Sequence, residues 1–191
     1  MITAKPFAVV ALFVALLQTA ILGYMIEGRA GILRSGTEVL LKTAPVDPRD
    51  LLRGDYVILT YDISTISTAS ITGQKPVTGE AERLHVRLKP GADGYWIVSG
   101  ASFDPLQFEE GSVVLLSQPV TIYGWEWQNA GNLTVSYGIE RYYVPEGEGK
   151  PIEDGRNDGR VSVAVRVSET GRAQIRALML DGEPLYEEPL Y

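Results

Sequence analysis

Acidic side chains are the most numerous candidates for chemistry in this chain. Glu109, Glu110, Glu140, Glu146, Glu148, Glu153, Asp154 and Asp158 are of the type that glycoside hydrolysis uses as an acid and base pair, and that calcium takes as oxygen ligands. The run from Asp154 to Gly159 lacks the alternating oxygen ligands and closing glutamate of an EF-hand loop. Acid-rich loops on an acidic protein are ordinarily solvated, so no metal and no cofactor is expected. Glu140 and Arg141 are neighbours inside an aromatic stretch, so on an extended strand they point to opposite faces, Glu140 with Gly138 and Tyr142, Arg141 with Ile139 and Tyr143. A buried charge needs a partner, and Arg49 or Arg53 is the candidate for Glu140. A structural ion pair is the plainer expectation there than catalysis. His85 stands on the polar side of its strand with no acid or nucleophile beside it in sequence, as a surface histidine does. Trp125 and Trp127 point the same way on an extended chain, toward a glycan, a partner, interfacial lipid or, most simply, the core.

The elements that must position these groups are mostly strands. The 191 residues suffice for one domain plus an anchor. A net charge of −7 with no Lys/Arg-rich run argues against a nucleic-acid surface. There is no cysteine, which removes disulfides and thiolate metal sites, and the single histidine makes a conventional zinc site a poor reading. Phe7 to Ile26 is an almost unbroken apolar run behind Lys5, long enough to cross a bilayer as a helix of about 20 residues. A cleaved secretory signal is the rival reading, against which stand the length of the run and the lack of a clean small-x-small site. The expected organisation is a signal-anchor over residues 1–27, a glycine-containing flexible connector over 28–36, and a β-rich extracytoplasmic domain over 37–191. The short leader favours an N-terminus inside and a body outside, although Arg29 and Arg34 beyond the span leave the charge rule undecided.

Within the body, Leu84, Val86 and Leu88 alternate with His85, Arg87 and Lys89 as a half-buried strand, and Pro90 to Gly94 turns it back through Tyr95 to Val98. Val161, Val163, Val165 and Val167 mark another inward face, joined by Glu169-Thr170-Gly171 to a last strand over Ala173 to Leu180 that Asp181-Gly182 ends. Leu133 to Val144 reads as one strand, Ser64 to Gly79 as a long loop or irregular edge, and Pro145 to Gly159 as an exposed loop. Nothing beyond the anchor sustains a helical period. The expected fold class is all-β, an antiparallel sandwich or partly open barrel with one N-terminal transmembrane helix.

The most distinctive text is Arg53 to Tyr61. Gly54 and Asp55 make a turn, and Tyr56 to Tyr61 alternate Tyr56, Ile58 and Thr60 with Val57, Leu59 and Tyr61, both faces apolar enough for the middle of a sheet. Gly54-Asp55-Tyr56 with Leu59 and Tyr61, preceded by Pro45 to Leu52, resembles the signature of the GDYXXLXY family of membrane-anchored bacterial proteins. A second block, Tyr137 to Gly149, is similar to that family's other signature. The resemblance implies a single-pass membrane protein encoded beside multi-pass membrane proteins, and attaches no reaction. Leu51, Gly54, Asp55 and Val57 also look like the turn after the nucleophile of signal-peptidase-type serine/lysine proteases, but the serine's place is Val46, which cannot attack a carbonyl. The expected function is therefore that of a non-enzymatic accessory protein, with Arg53, Asp55, Tyr56, Tyr61, Glu140, Arg141 and Glu146 as its motif surface and a multi-pass protein as partner. A carboxylate-dependent envelope hydrolase and a ligand- or ion-sensing module are the alternatives.

Overall fold

The computed structural model of the chain describes residues 4–45, 56–123 and 131–189, with side chains from Phe7 onward. Arg49, Arg53, Gly54, Asp55, Trp125 and Trp127 lie outside the described residues.

Helix α1 runs over Ala4–Ser35 without a break. Its Phe7–Ser35 portion is long and apolar enough to cross a membrane. Every residue from Phe7 to Arg29 is exposed, and burial begins at Ala30. The connector expected over residues 28–36 is thus corrected: the helix continues through Gly28 and Gly31, and Ala30, Ile32 and Leu33 are buried against the body. Gly36 ends it where two backbones meet. The Gly36 N–H donates to Ile32 O at 2.8 Å, and a Cβ on Gly36 would stand 2.6 Å from that oxygen and 3.0 Å from the Val167 backbone. Arg166 clasps the joint from the sheet, donating to Gly36 O at 2.9 Å and pairing with Glu38 at 2.9 Å.

The body opens with β1 (Thr37–Ala44), β2 (Tyr56–Ile58), β3 (Thr60–Tyr61), β4 (Thr65–Ser67) and β5 (Ile71–Thr72). It continues through β6 (Ala81–Glu82), β7 (His85–Pro90), β8 (Trp96–Ser102), β9 (Val113–Leu116), β10 (Val120–Thr121), β11 (Asn132–Thr134) and β12 (Arg141–Tyr143). A second helix, α2 (Gly149–Asn157), precedes β13 (Val161–Val167), β14 (Ala173–Leu180) and β15 (Glu183–Glu187). One sheet has the order β15-β14-β13-β1-β3 and another β5-β8-β7-β9, while β6 pairs with β10, β4 with β11 and β2 with β12. Pairing is antiparallel except between β5 and β8. The body is all-β in class, and no closed barrel forms among the described residues.

The alternations read from sequence appear as burial. Leu84, Val86 and Leu88 are fully buried while His85, Arg87 and Lys89 are half-buried. Val161, Val163, Val165 and Val167 all face the core. Ser162 and Ala164 are buried too, because β13 lies between β1 and β14 and is also crossed by the ends of α1 and α2. One core joins these residues to Val39, Leu41, Val57, Leu59, Tyr61 and Leu178.

Other expectations are corrected. Tyr56 to Tyr61 is two short strands, and only its Val57, Leu59 and Tyr61 face is buried, with Ile58 on the other face 37% exposed. Leu133 to Val144 is broken into β11 and β12, with the chain bent at Gly138 and Glu140. Ser64 to Gly79 takes the irregular-edge alternative over the loop, holding two short strands and a helical turn with β5 at the edge of its sheet. The chain folds back after Asp181-Gly182 as β15, where the last strand was expected to end. The exposed loop expected over Pro145 to Gly159 contains α2, whose Ile152, Gly155 and Arg156 are buried.

Candidate functional site

The two signature blocks are one structure. Strands β2 and β12 pair antiparallel, with Ile58 opposite Arg141, Val57 opposite Tyr142 and Tyr56 opposite Tyr143. The alternation turns Val57 and Tyr142 inward and leaves Tyr56, Ile58, Arg141 and Tyr143 on the outer face. On that face the Arg141 guanidinium lies 5.5 Å from the Tyr56 ring centroid, and the Tyr56 and Tyr143 rings are tilted at 60° with centroids 6.0 Å apart. A cation over an aromatic face is held by the ring quadrupole at this distance. Tyr143 is nevertheless 73% exposed, so the cluster presents aromatic and basic surface outward.

Beneath it, two tyrosines bind the blocks reciprocally. Tyr61 of the first block donates its hydroxyl to Ile139 O of the second at 2.6 Å, and Tyr137 of the second donates to Ile63 O, just past the first, at 2.7 Å. The Leu59 N–H adds a bond to Glu140 O at 2.9 Å. Both rings are almost wholly buried, and burial pushes both phenols well above the ordinary tyrosine value, with the Glu140 charge adding to it.

The turn between β11 and β12 explains Glu140. Gly138 sits at φ +83°, a left-handed conformation in which a Cβ would also meet Gln118 Nε2 at 2.7 Å. With the chain so bent, the Glu140 carboxylate accepts the N–H groups of Tyr137 and, at 2.9 Å, Gly138. Its partners among the described residues are therefore two backbone amides. Glu146 is not brought into this cluster; it stands exposed in the turn leading to α2.

Sequence reasoning missed Arg156. It is buried on α2, donates to Ile58 O, and holds Asn157 Oδ1 at 3.1 and 3.3 Å, so the helix is tied to the outer strand pair. Desolvation lowers its pKa from the ordinary arginine value and the Glu153 charge opposes that. The signal available was the i, i+4 spacing of Ile152 and Arg156.

Beside β12 opens a cavity of about 640 Å³ between the strand and the end of α1. Ile26, Arg29 and Leu33 line the helix wall, and Arg141, Tyr143 and Glu188 are among the groups opposite. Burial and the neighbouring Glu188 push the Tyr142 phenol up to about 12. A second cavity of about 650 Å³ lies by His85, Phe108 and Glu109. His85 is half-buried there, not on open surface, and its Nδ1 lacks a hydrogen-bond partner among the described residues. Glu109 is held by Lys89 and, at 2.9 Å, by Arg87, which lower its pKa from the ordinary glutamate value. Among the described residues no group of three or more His, Asp or Glu side chains is placed to hold a metal ion.

A family model described as GDYXXLXY protein matches residues 18–178, a range that takes in half of α1, both blocks and the strands through most of β14. No curated protein and no solved structure matches the chain.

Proposed function

The chain belongs to the GDYXXLXY protein family, and from that premise we propose a membrane-anchored accessory protein that acts by contact, without bond-making. In this reading α1 is a retained signal-anchor, residues 37–191 form an extracytoplasmic domain, and the outer face of β2 and β12 binds a multi-pass membrane protein. One observation carries the reading. The two family signatures converge on a single outer-face patch of half-buried Tyr56 and exposed Ile58, Arg141 and Tyr143, and that patch lies next to the end of the apolar helix. Exposed tyrosine and arginine are the residue types that anchor protein interfaces. The close packing at Gly36 supports the same reading, since a body held against its helix offers a membrane neighbour one orientation.

Glu140 gives the hydrolase reading little, because its carboxylate is engaged by two backbone amides. Co-purification in detergent from native membranes is the test. The multi-pass partner should be retained by the wild-type chain and lost from R141A/Y143A, which changes only exposed side chains. Clean separation of the wild-type chain from every multi-pass protein at native expression contradicts the reading, as does turnover of an envelope polymer abolished by E140Q, E146Q or E153Q.

A further inference from the structure

We propose that the cavity between α1 and β12 holds the phosphate headgroup of a bilayer phospholipid, gripped by Arg29 and Arg141. The inference rests on the membrane-anchored reading of α1 and adds to it a lipid ligand.

Depth along the helix is the first argument. Phe7 to Ile26 spans about 30 Å at 1.5 Å per residue, the thickness of the hydrocarbon layer. Arg29 then sits about 4.5 Å farther along the axis, within a headgroup layer of roughly 5–8 Å per leaflet. Long arginine stems lie along apolar surface and deliver the guanidinium to that layer.

Charge is the second argument. Two arginines and one glutamate line the cavity, so its formal charge is net positive. Arg34 on the same helix is paired with Glu27, but Arg29 has no ion pair among the described residues. Among the described residues Arg141 is held by the Tyr56 ring face alone, which leaves its N–H fork available to an oxyanion.

Shape supplies the third. The helix wall of the cavity is Ile26, Ala30 and Leu33, and Ile26 continues directly into the exposed apolar surface of Leu22. A phosphate seated between the two arginines would have its acyl chains running down that surface. Tyr143 stands exposed at the rim, as tyrosines do at membrane interfaces.

The test is thermal melting of the full chain in dodecylmaltoside micelles, titrated with phosphatidylglycerol, phosphatidylcholine or inorganic phosphate. Phosphatidylglycerol should raise Tm saturably, phosphatidylcholine less, and inorganic phosphate not at all. R29Q alone, at an exposed helix position, should raise the half-saturating phosphatidylglycerol level at least threefold, and R29Q/R141Q at least tenfold. An equal response in wild type and R29Q overturns the proposal, as does an equal response to inorganic phosphate, which would mark a free-anion site. Photo-crosslinking from position 29 that captures a membrane protein and no lipid also overturns it. Release of the chain from membranes by alkaline carbonate removes the anchored reading itself; retention without a lipid-dependent shift removes only the headgroup.

Discussion

Replacing Tyr61 by phenylalanine should unlock the two signature blocks while leaving the core filled. The ring is 1% exposed and its hydroxyl makes one bond, to Ile139 O at 2.6 Å. The substitution deletes that donor and leaves a buried carbonyl unpaired, at a cost of about 1–3 kcal/mol. For a domain of this size each kcal/mol lowers Tm by about 2–4 °C, so a fall of roughly 4–8 °C is expected from a mid-range loss. Y137F removes the reciprocal bond to Ile63 O and should cost about as much. Because both bonds join the same two segments, the double variant should lose less than the sum of the singles. Y143F, at an exposed ring, should change stability by less than about 0.5 kcal/mol. The pH dependence has a defined sign. Both phenols have folded-state pKa values above the unfolded value near 10, so their contribution is complete below about pH 10 and is lost as pH rises through the folded values. Each tyrosine that stays protonated only in the folded state should add a fall of about 1.4 kcal/mol per pH unit above pH 10. Melting followed by near-UV circular dichroism in detergent, from pH 8 to pH 11, reads both effects. A Y61F protein that melts within about 1 °C of wild type and keeps the same alkaline slope refutes the lock.

Three further outcomes test other parts of the structure. G36A brings a Cβ against Ile32 O and the Val167 backbone, so it should lower Tm by several degrees and loosen the body relative to α1 in spin-label line shapes. E140A removes the acceptor of two turn amides and should cost about 1–3 kcal/mol by chemical denaturation, with E140Q recovering part of it. I152A, at a fully buried position on α2, should cost about 2–5 kcal/mol, whereas a mere exposed loop over Pro145 to Gly159 would make it neutral.

Where burial follows a strict period, the sequence was readable. The valines of β13 and the Leu84, Val86, Leu88 face of β7 needed only alternation to be placed, and the apolar run of α1 needed only length. The misreadings come from glycine. Gly28 and Gly31 suggested a flexible connector, yet their Cβ positions open onto free space and the helix keeps its stripe at Ile26, Ala30 and Leu33. In α2, Gly149, Pro151 and Gly155 hide a helix with low intrinsic propensity, and at Gly155 the helix packs close to β14, where a Cβ would meet Leu180 Cδ1 at 2.8 Å. What read as one long strand stops at Thr134, and beyond it the left-handed Gly138 bends the chain so that Glu140 turns onto amides. The ion pair expected from Glu140 to Arg49 or Arg53 falls on arginines outside the described residues. The described residues join the two blocks through backbone registry and tyrosine hydroxyls, contacts that residue type alone does not announce. The cavity beside β12 was not legible, because its walls come from Ile26, Tyr143 and Glu188, far apart in the chain.

In the proposed function the body is held against the helix so that the paired strands face the lipid boundary. The chain has no cysteine, so a single nitroxide at position 143 of Y143C can be placed without background labelling. In reconstituted bilayers its collision rates with oxygen and with a water-soluble nickel chelate should place the label in the headgroup layer. A label as accessible to the nickel chelate as one in free solution would contradict it.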